Sequence, residues 1–513
     1  MTSPIFSLKT LAVAITSISV AGVASAAGLD RSGQDVSAFL QDGTYAEASY
    51  TYIDADVTGH DNAYLGIGDL KKYDKGNKIG DIAEPYDFFR YGVKTDINDT
   101  FSVGVLYDEP FGAAAAYSGK NNFVSGDIND ANALVNQLTG GKITSAAQLP
   151  TAIRSTVVGA QQAAAAAKTA AEGAAAAQQA GNAAQAGELA KKAQEYKAKA
   201  EELQQQAKGL ISAGAISGGI ISSAGEGTNV EVRTHNITGL LGVKLGADKN
   251  LQVYGGPAFQ RLEADVKLRG PAYLTSAGYD AHVSPNEAVG WVAGVAYSKP
   301  EIGLKAALTY RSEIDHTANI AENLPSVAYL PDSYQDSIAK NAEKNGLGSI
   351  DITTPESFNL DFQTGLNPTT LATAKVRYVP WSKFEIVPPL YNAASKVQLH
   401  NDEGLPLVGY DKDQWQVEVG IGKRLTPALA VSGTVGWDSG AGNPVTSLGP
   451  IEGYYSVGAG AKYNITPNWA ISAGGKYLMF GDAKGKLPND KVVSNFEDNN
   501  GYAVGVKLSY QDK

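Results

Sequence analysis

The stretch Ile302-Gly303-Leu304-Lys305-Ala306-Ala307-Leu308-Thr309-Tyr310-Arg311 decides the fold class of this chain. Ile302, Leu304, Ala306, Leu308 and Tyr310 fall on one face of an extended segment, and Gly303, Lys305, Ala307, Thr309 and Arg311 fall on the other. Side chains of a strand alternate between faces, so this is period-two patterning with charge confined to one side. The pattern returns at Gln414 to Gly422, where Trp415, Val417, Val419 and Ile421 oppose Gln414, Gln416, Glu418 and Gly420. It closes the chain too, with Tyr502, Val504, Val506, Leu508 and Tyr510 opposite Gly501, Gly505, Lys507 and Ser509.

A soluble sheet with one buried face alternates in the same way. Two features separate the cases. Aromatic residues stand at the ends of the apolar faces, at Trp291 and Tyr297, Trp469 and Tyr477, and Tyr502 and Tyr510. A membrane barrel wants amphipathic rings at those heights. The connections also alternate between short turns, near 96–100, 247–249, 298–300, 367–368, 425–427 and 464–467, and much longer loops. That asymmetry is the outer-membrane pattern of short periplasmic turns and long external loops. The fold class expected is all-β, a 14-stranded antiparallel transmembrane β-barrel, and the even strand number puts both termini in the periplasm.

The rest of the chain fits an exported protein. Lys9, the apolar run Leu11 to Val23 and the small-x-small Ala24-Ser25-Ala26 read as a signal peptide over 1–26, with the mature chain starting at Ala27. No later segment has eighteen consecutive apolar residues, which excludes a spanning helix. The 513 residues include 57 Gly and 26 Tyr but no Cys, and a closed barrel pairs every strand without disulfides. A net charge of −11 excludes nucleic acid as a partner.

Two segments stand outside the barrel wall of 45–513. Residues 27–44 mix Asp30, Arg31, Gln34 and Asp35 with Leu29, Val36, Phe39 and Leu40, and read either as a plug in the lumen or as a periplasmic tail. Residues 145–208 are rich in Ala, Gln, Lys and Glu and read as helix, broken at Gly181-Asn182 into a hairpin inserted between strands 3 and 4. The hairpin reads as a tolerated surface insertion or, alternatively, as an arm that contacts a partner. Glu188/Lys192 and Glu195/Lys199 are expected i,i+4 pairs on it.

Motifs for chemistry are nearly absent. The five histidines are expected in loops or at strand ends, none has a helical i,i+4 partner, and there is no G-x-S-x-G or P-loop, so neither catalytic residue, metal nor cofactor is expected. The acidic runs 127–130 and 497–500 read as solvated loops rather than calcium or lipopolysaccharide contacts.

Several blocks, in order, carry a family resemblance: Glu109-Pro110-Phe111-Gly112-Ala113, Gly290 to Tyr297, Leu308 to His316, Thr354 to Phe358, and Trp381-Ser382-Lys383-Phe384. They resemble the FadL/TodX family of outer-membrane transporters of long-chain fatty acids and hydrocarbons. The resemblance implies an N-terminal hatch over 27–44, with Ala27, Gly28, Leu29 and Arg31 at an internal hydrophobic pocket. It implies an inward kink of strand 3 at Glu109, Pro110, Phe111 and Gly112 that opens the wall sideways, and ligand capture among the loops after strands 3 and 5. The chain departs from the family pattern in lacking an Asn-Pro-Ala block after the hatch and in carrying the helical insert.

The expected function is then passive transport of a long-chain fatty acid or similar hydrophobic molecule, in contact with outer-membrane lipid and lipopolysaccharide, with a monomer favoured. Arg311 is the first candidate to meet a ligand carboxylate and Arg90 the second. Lys305, Lys375 and Arg377 also face the lumen and are expected to pair with wall carboxylates such as Asp361 and Glu418. A porin, or a surface barrel using the hairpin for adhesion, is the alternative.

Overall fold

The structure, a computed structural model, describes residues 29–66, 68–399 and 401–512. The signal segment and the expected pocket residues Ala27 and Gly28 lie outside them. The wall is a closed antiparallel barrel of fourteen strands. They are β1 (Thr44–Asp56), β2 (Tyr86–Asp96), β3 (Phe101–Asp108, resuming as Gly112–Ala116), β4 (Asn229–Leu245), β5 (Leu251–Lys267), β6 (Asp280–Lys299) and β7 (Leu304–Arg311, resuming as Ile314–Asn323). The circuit continues through β8 (Ser349–Thr354, resuming as Ser357–Asn367), β9 (Thr370–Val379), β10 (Gln414–Arg424), β11 (Leu429–Asp438), β12 (Glu452–Asn464), β13 (Trp469–Gly481) and β14 (Asn500–Asp512). It closes where Thr44 to Asp56 pair in register with Asp512 to Asn500.

The outward faces explain the strict alternation. Val253, Val289, Leu308, Val419, Val457 and Val504 all point away from the barrel and are exposed. So broad an apolar belt is covered only by lipid. Rings mark its edge on the loop side. Trp291, Tyr310, Phe358, Tyr378 and Trp415 touch in sequence across β6 to β10, with centroids 5.0, 4.9, 6.3 and 4.7 Å apart. The hydroxyls of Tyr310 and Tyr378 donate to Glu356 and Asp413 at 2.8 and 2.6 Å, which puts the polar tip of each ring at the wet boundary. Trp469, near the turn side, and Tyr477 lie eight residues apart on β13, about 26 Å along the strand and roughly 20 Å along the axis once tilt is counted.

Strand limits differ from expectation in two respects. Ile302 and Gly303 belong to the turn before β7, and Gly303 takes a left-handed φ of 63° that a side chain would strain. Strands β6 to β8 run well past their expected limits near the girdle, so His282 and His316 lie within strands, as His235 does in β4, rather than in loops or at strand ends. Above the girdle the outward residues become Arg261, Asp265, His282, Asp315 and Asp351, and that polarity gives the same local composition as a loop. The inward face there stays apolar and packs against the loops in the main core.

The insert forms two long antiparallel helices, α2 (Leu149–Gln179) and α3 (Ala183–Ser222), preceded by a short α1 (Ile128–Leu138). The shielded positions Leu149, Ile153, Ala160, Ala163 and Ala177 on α2, and Ala186, Ala200 and Ala207 on α3, keep a heptad spacing. Small residues on both sides let the two helices approach closely. Glu188 and Lys192 pair at 3.6 Å as expected, but Lys199 pairs with Glu202 at 2.9 Å rather than with Glu195.

α3 runs fourteen residues beyond the expected end at Lys208. Gly209, Gly214, Gly218 and Gly219 lower helix propensity there, yet tertiary packing overrides it. Ile216 and Ile220 are buried with Ala131 and Leu134 of α1, and Gly219 lies directly on the Ala277 carbonyl. A Cβ at 219 has no space, and overpacking of this kind costs about 1–3 kcal/mol. Gly219→Ala is therefore expected to loosen the hairpin base, read as faster protease cleavage between 208 and 228 with the barrel itself intact.

Candidate functional site

Residues 29–43 lie inside the lumen and pack on the wall from β2 to β9. Val36, Ala38, Phe39 and Leu40 are buried against Leu106, Leu240, Tyr254 and Val292 of β3 to β6. Phe39 packs on Tyr254 at 5.7 Å between ring centroids, and the wall is thinned to receive it. A Cβ on Gly104 or Gly242 would stand 2.8 or 3.0 Å from the Phe39 ring. The end of the segment is pinned by cations: Lys94 Nζ donates to the carbonyls of Gln41 and Gly43 at 2.6 and 2.9 Å, and Lys305 donates to that of Leu40 at 2.6 Å.

The opposite face of this segment is polar. Arg377 makes a two-pronged ion pair with Asp30 at 2.6 and 3.0 Å, with both residues buried. Lys375 reaches Asp35 at 3.1 Å and Asp361 at 3.6 Å, while Arg90 donates to the Asp35 carbonyl at 3.2 Å. Burial alone would raise the Asp35 carboxyl, but Lys375 and Arg90 outweigh it and hold it well below the usual carboxylate range. Glu418 pairs with Lys476. Two cavities of about 70 and 80 Å³ lie between this face and β8 to β12, and both are bounded by Asp361, Lys375 and Glu418.

The wall is incomplete at one place. β2 pairs with β3 only from Tyr91↔Tyr107 to Asp96↔Ser102. Tyr86 to Arg90 pair with β1 but have no strand partner on the other side. β3 breaks at Glu109-Pro110-Phe111 and resumes against β4 at Gly112. Proline cannot donate to a ladder, so the break has a local cause. The luminal segment fills the gap. Asp30 forms an antiparallel bridge with Phe111, the Arg31 amide donates to the Pro110 carbonyl at 2.8 Å, and the Gly112 amide donates to the Leu29 carbonyl at 2.8 Å.

Side chains complete the closure. The Arg31 guanidinium lies 3.3 Å over the Tyr86 ring and is flanked by Gly112, whose absent Cβ would come within 2.8 Å of Arg31 Nε. Burial pushes Arg31 down to about 10. Tyr86 and Tyr107 donate to Glu109 at 2.8 and 3.4 Å, and Tyr107 also meets His235 Nδ1 at 2.8 Å.

Two apolar pockets adjoin this point. One, of about 10 Å³, is enclosed by Leu29, Phe111, Leu262, Ile352, Trp381 and Phe384. The other, of about 60 Å³, lies behind the gap and is lined by Arg31, Ile53, Val57, Ile82, Ala114 and Phe480.

The residues singled out from the sequence thus separate into groups. Leu29, Arg31, Glu109, Pro110, Phe111 and Gly112 come together at the break in β3. Arg90 lies below, on Asp35. Arg311 stands apart, with Nη1 donating to Thr238 Oγ1 at 3.1 Å and Nε and Nη2 without a partner although the residue is buried. Lys305, Lys375 and Arg377 are engaged by the luminal segment or the wall. Sequence reasoning missed the partnership of Asp30 with Arg377, and missed Trp381 as a pocket wall although its block was singled out. It also missed the small sheet over the mouth, built from Gly59–Asn62, Lys75–Ile79, Val445–Thr446, Ala483–Lys486 and Val492–Phe496. Among the described residues no cluster of His, Asp or Glu has the grouping of a metal site.

The loops after β3, β5 and β7 meet above the lumen, where α3 of the first packs on Pro271–Ser276 of the second and on Pro325–Tyr329 of the third.

Residues 275–513 match the family described as outer membrane protein transport protein (OMPP1/FadL/TodX). The fold matches the crystal structure of a Pseudomonas aeruginosa FadL homologue with a TM-score of 0.54 and 13% identity, covering 91% of this chain and 90% of that one. The Pseudomonas putida toluene transporter TodX aligns over 92% of this chain and 90% of its own, at 10% identity and a TM-score of 0.46. No curated protein matches the chain in sequence.

Proposed function

We propose, from the match of residues 275–513 to the outer membrane protein transport protein family (OMPP1/FadL/TodX), that this chain passes long-chain fatty acids or similar amphiphiles sideways through its wall. The observation that carries this reading is the gap between β2 and β3 at Tyr86 to Arg90, backed by an apolar pocket, plugged by residues 29–31 and bounded by the bridge between Ala83 and Ala115.

The straight route down the lumen suits such a ligand poorly. Residues 29–43 occupy the lumen, and the space beside them is bounded by Asp361, Lys375 and Glu418. Dragging a hydrocarbon chain past those charges gives up about 0.8 kcal/mol for each methylene that leaves apolar surroundings. A sideways exit keeps the chain in apolar surroundings throughout. The gap opens at the height of Phe89, Tyr91 and Tyr107, where the rings of β2 and β3 continue the girdle.

Ligand gathers among the loops after β3 and β5, passes the pocket walled by Leu29, Phe111, Trp381 and Phe384, and leaves where the luminal segment withdraws from the β3 break. Arg311, on the wall, is a luminal cation that meets a carboxylate on the way, since two of its donor nitrogens have no partner; Arg90 is already committed to Asp35. Transport is passive. The polar outer face of β5 to β8 above the girdle, with Arg261, Asp265, His282 and Asp315, stands in the lipopolysaccharide layer.

Binding of a radiolabelled long-chain fatty acid to the purified protein, with planar-bilayer conductance alongside, tests this. Saturable binding with little conductance, both altered when residues 29–42 are removed, is the expected result. Large steady conductance without binding would establish a porin instead.

A further inference from the structure

We propose that the helical hairpin is a tether between two copies of this chain, with one outer stripe of α3 docking antiparallel on the same stripe of a copy in a facing membrane. This activity is separate from the transport reading and does not depend on it.

The stripe consists of Gln185, Glu188, Lys192, Glu195, Lys199 and Glu202. Steps of three and four residues keep them on one side of the helix, and all are exposed. Their charges alternate in sign, and the row complements itself when reversed. Two such stripes, laid antiparallel about a two-fold axis between Lys192 and Glu195, set Glu188 opposite Lys199 and Lys192 opposite Glu195. Gln185 then lies opposite Glu202. A two-fold contact repeats each pair, so all four central charges gain an opposite partner over about 26 Å of helix.

A row of alternating charge can also serve its own helix alone. Here that is incomplete. Glu188 pairs with Lys192 at 3.6 Å and Lys199 with Glu202 at 2.9 Å, which leaves Glu195, in the middle of the stripe, without an ion pair. Tyr196 flanks the same midpoint and is 44% exposed. An exposed tyrosine at the centre of a polar patch is the usual anchor of an interface.

The orientation follows from the same charges. Copies in one membrane stand parallel, with their heights fixed by the bilayer. Glu188 then meets Glu188 and Lys192 meets Lys192, and like charges repel. Antiparallel pairing brings tip to base. The tip is the exposed turn at Gly181-Asn182, and the base is held where Leu149, Ile153 and Ala213 pack with Val135. The two barrels therefore lie at opposite ends of the pair, in facing membranes. Exposed ion pairs are individually weak and are screened by salt, so the tether draws its strength from many copies acting together.

The test places the full-length mature protein in phosphatidylcholine vesicles and reads clustering by light scattering. Wild-type vesicles are expected to cluster, and about 0.5 M NaCl to disperse them. Lys192→Glu and Glu195→Lys are each expected to cluster about tenfold more slowly alone, because each sets like charges face to face. Mixing the two populations is expected to restore the wild-type rate, since the reversed charge of one then meets the reversed charge of the other. Tyr196→Ala is expected to slow wild type and mixture alike. Wild-type vesicles that stay apart overturn the tether. Either variant clustering alone at the wild-type rate overturns it as well. A mixture that stays dispersed does the same, because contact between two copies of this stripe requires that rescue.

Discussion

Asp30→Asn will release the luminal segment from the wall. The Asp30 carboxylate takes two donors of Arg377, and both groups are buried. Removing one partner of such a pair leaves an uncompensated buried charge and costs about 3–5 kcal/mol. Arg377 keeps its bonds to Asn359 and Gln34, at 2.8 and 3.2 Å, but neither carries a charge. The docked state of residues 29–35 should fall by roughly a hundred- to a few thousand-fold relative to the undocked one. Hydrogen exchange at the Arg31 and Gly112 amides reads this directly, since each donates across the bridge at the β3 break. The double variant Asp30→Leu with Arg377→Met replaces the pair by apolar groups and should recover much of the protection. Unchanged exchange in Asp30→Asn would mean that Phe39 and its apolar neighbours hold the segment alone.

Trp381→Ala carries the second large effect. Trp381 is fully buried, edge-on to Phe111 at 5.7 Å and to Phe384 at 5.2 Å, and its indole donates to Gln414 at 2.7 Å. Gln414 in turn donates to Asp438 at 2.7 Å. Truncation removes the ring that joins the β3 break to the loop after β9, and emptied aromatic sites of this kind cost about 3–5 kcal/mol. The loss should appear as rapid exchange of the Leu407 amide, which donates to the Ile386 carbonyl at 2.7 Å in the short ribbon beside Trp381. Trp381→Phe keeps the edge contacts but not the indole donor, so about 1–2 kcal/mol is expected.

Much of this architecture is legible in the chain because lipid imposes a sharp rule. Where the outer face meets hydrocarbon, as at Leu308 or Val419, every second residue must be apolar, and the period shows. The rule lapses above the girdle. Asp315 and His282 face outward into a polar layer there, so the strands read as loops although their inward residues Ile320 and Val283 are buried. The hairpin was legible from its Ala, Gln and Lys content, but its last fourteen residues were not. Gly214, Gly218 and Gly219 disfavour helix, and only the contacts with Ile153, Tyr329 and Ala277 explain them.

The site is less legible still. Asp30 and Arg377 lie 347 residues apart, and nothing local in either predicts the pairing. Arg31 looks like one more charge near a terminus. Its burial against Tyr86 follows only from the break in β3. Pro110 hints at that break, since proline interrupts a ladder, and the family resemblance pointed to the same place.

The most direct test of sideways passage uses a long-chain fatty acid with a photoreactive group at its methyl end. Crosslinking it to the protein in outer-membrane lipid and mapping the products would report the path. Sideways passage puts labels at the gap and its pocket, on Ile53, Ile82, Ala114 and Ile451. Labels on Thr373, Ser432 and Thr434, which line the lumen beside the luminal segment, would show passage straight through the barrel and contradict it.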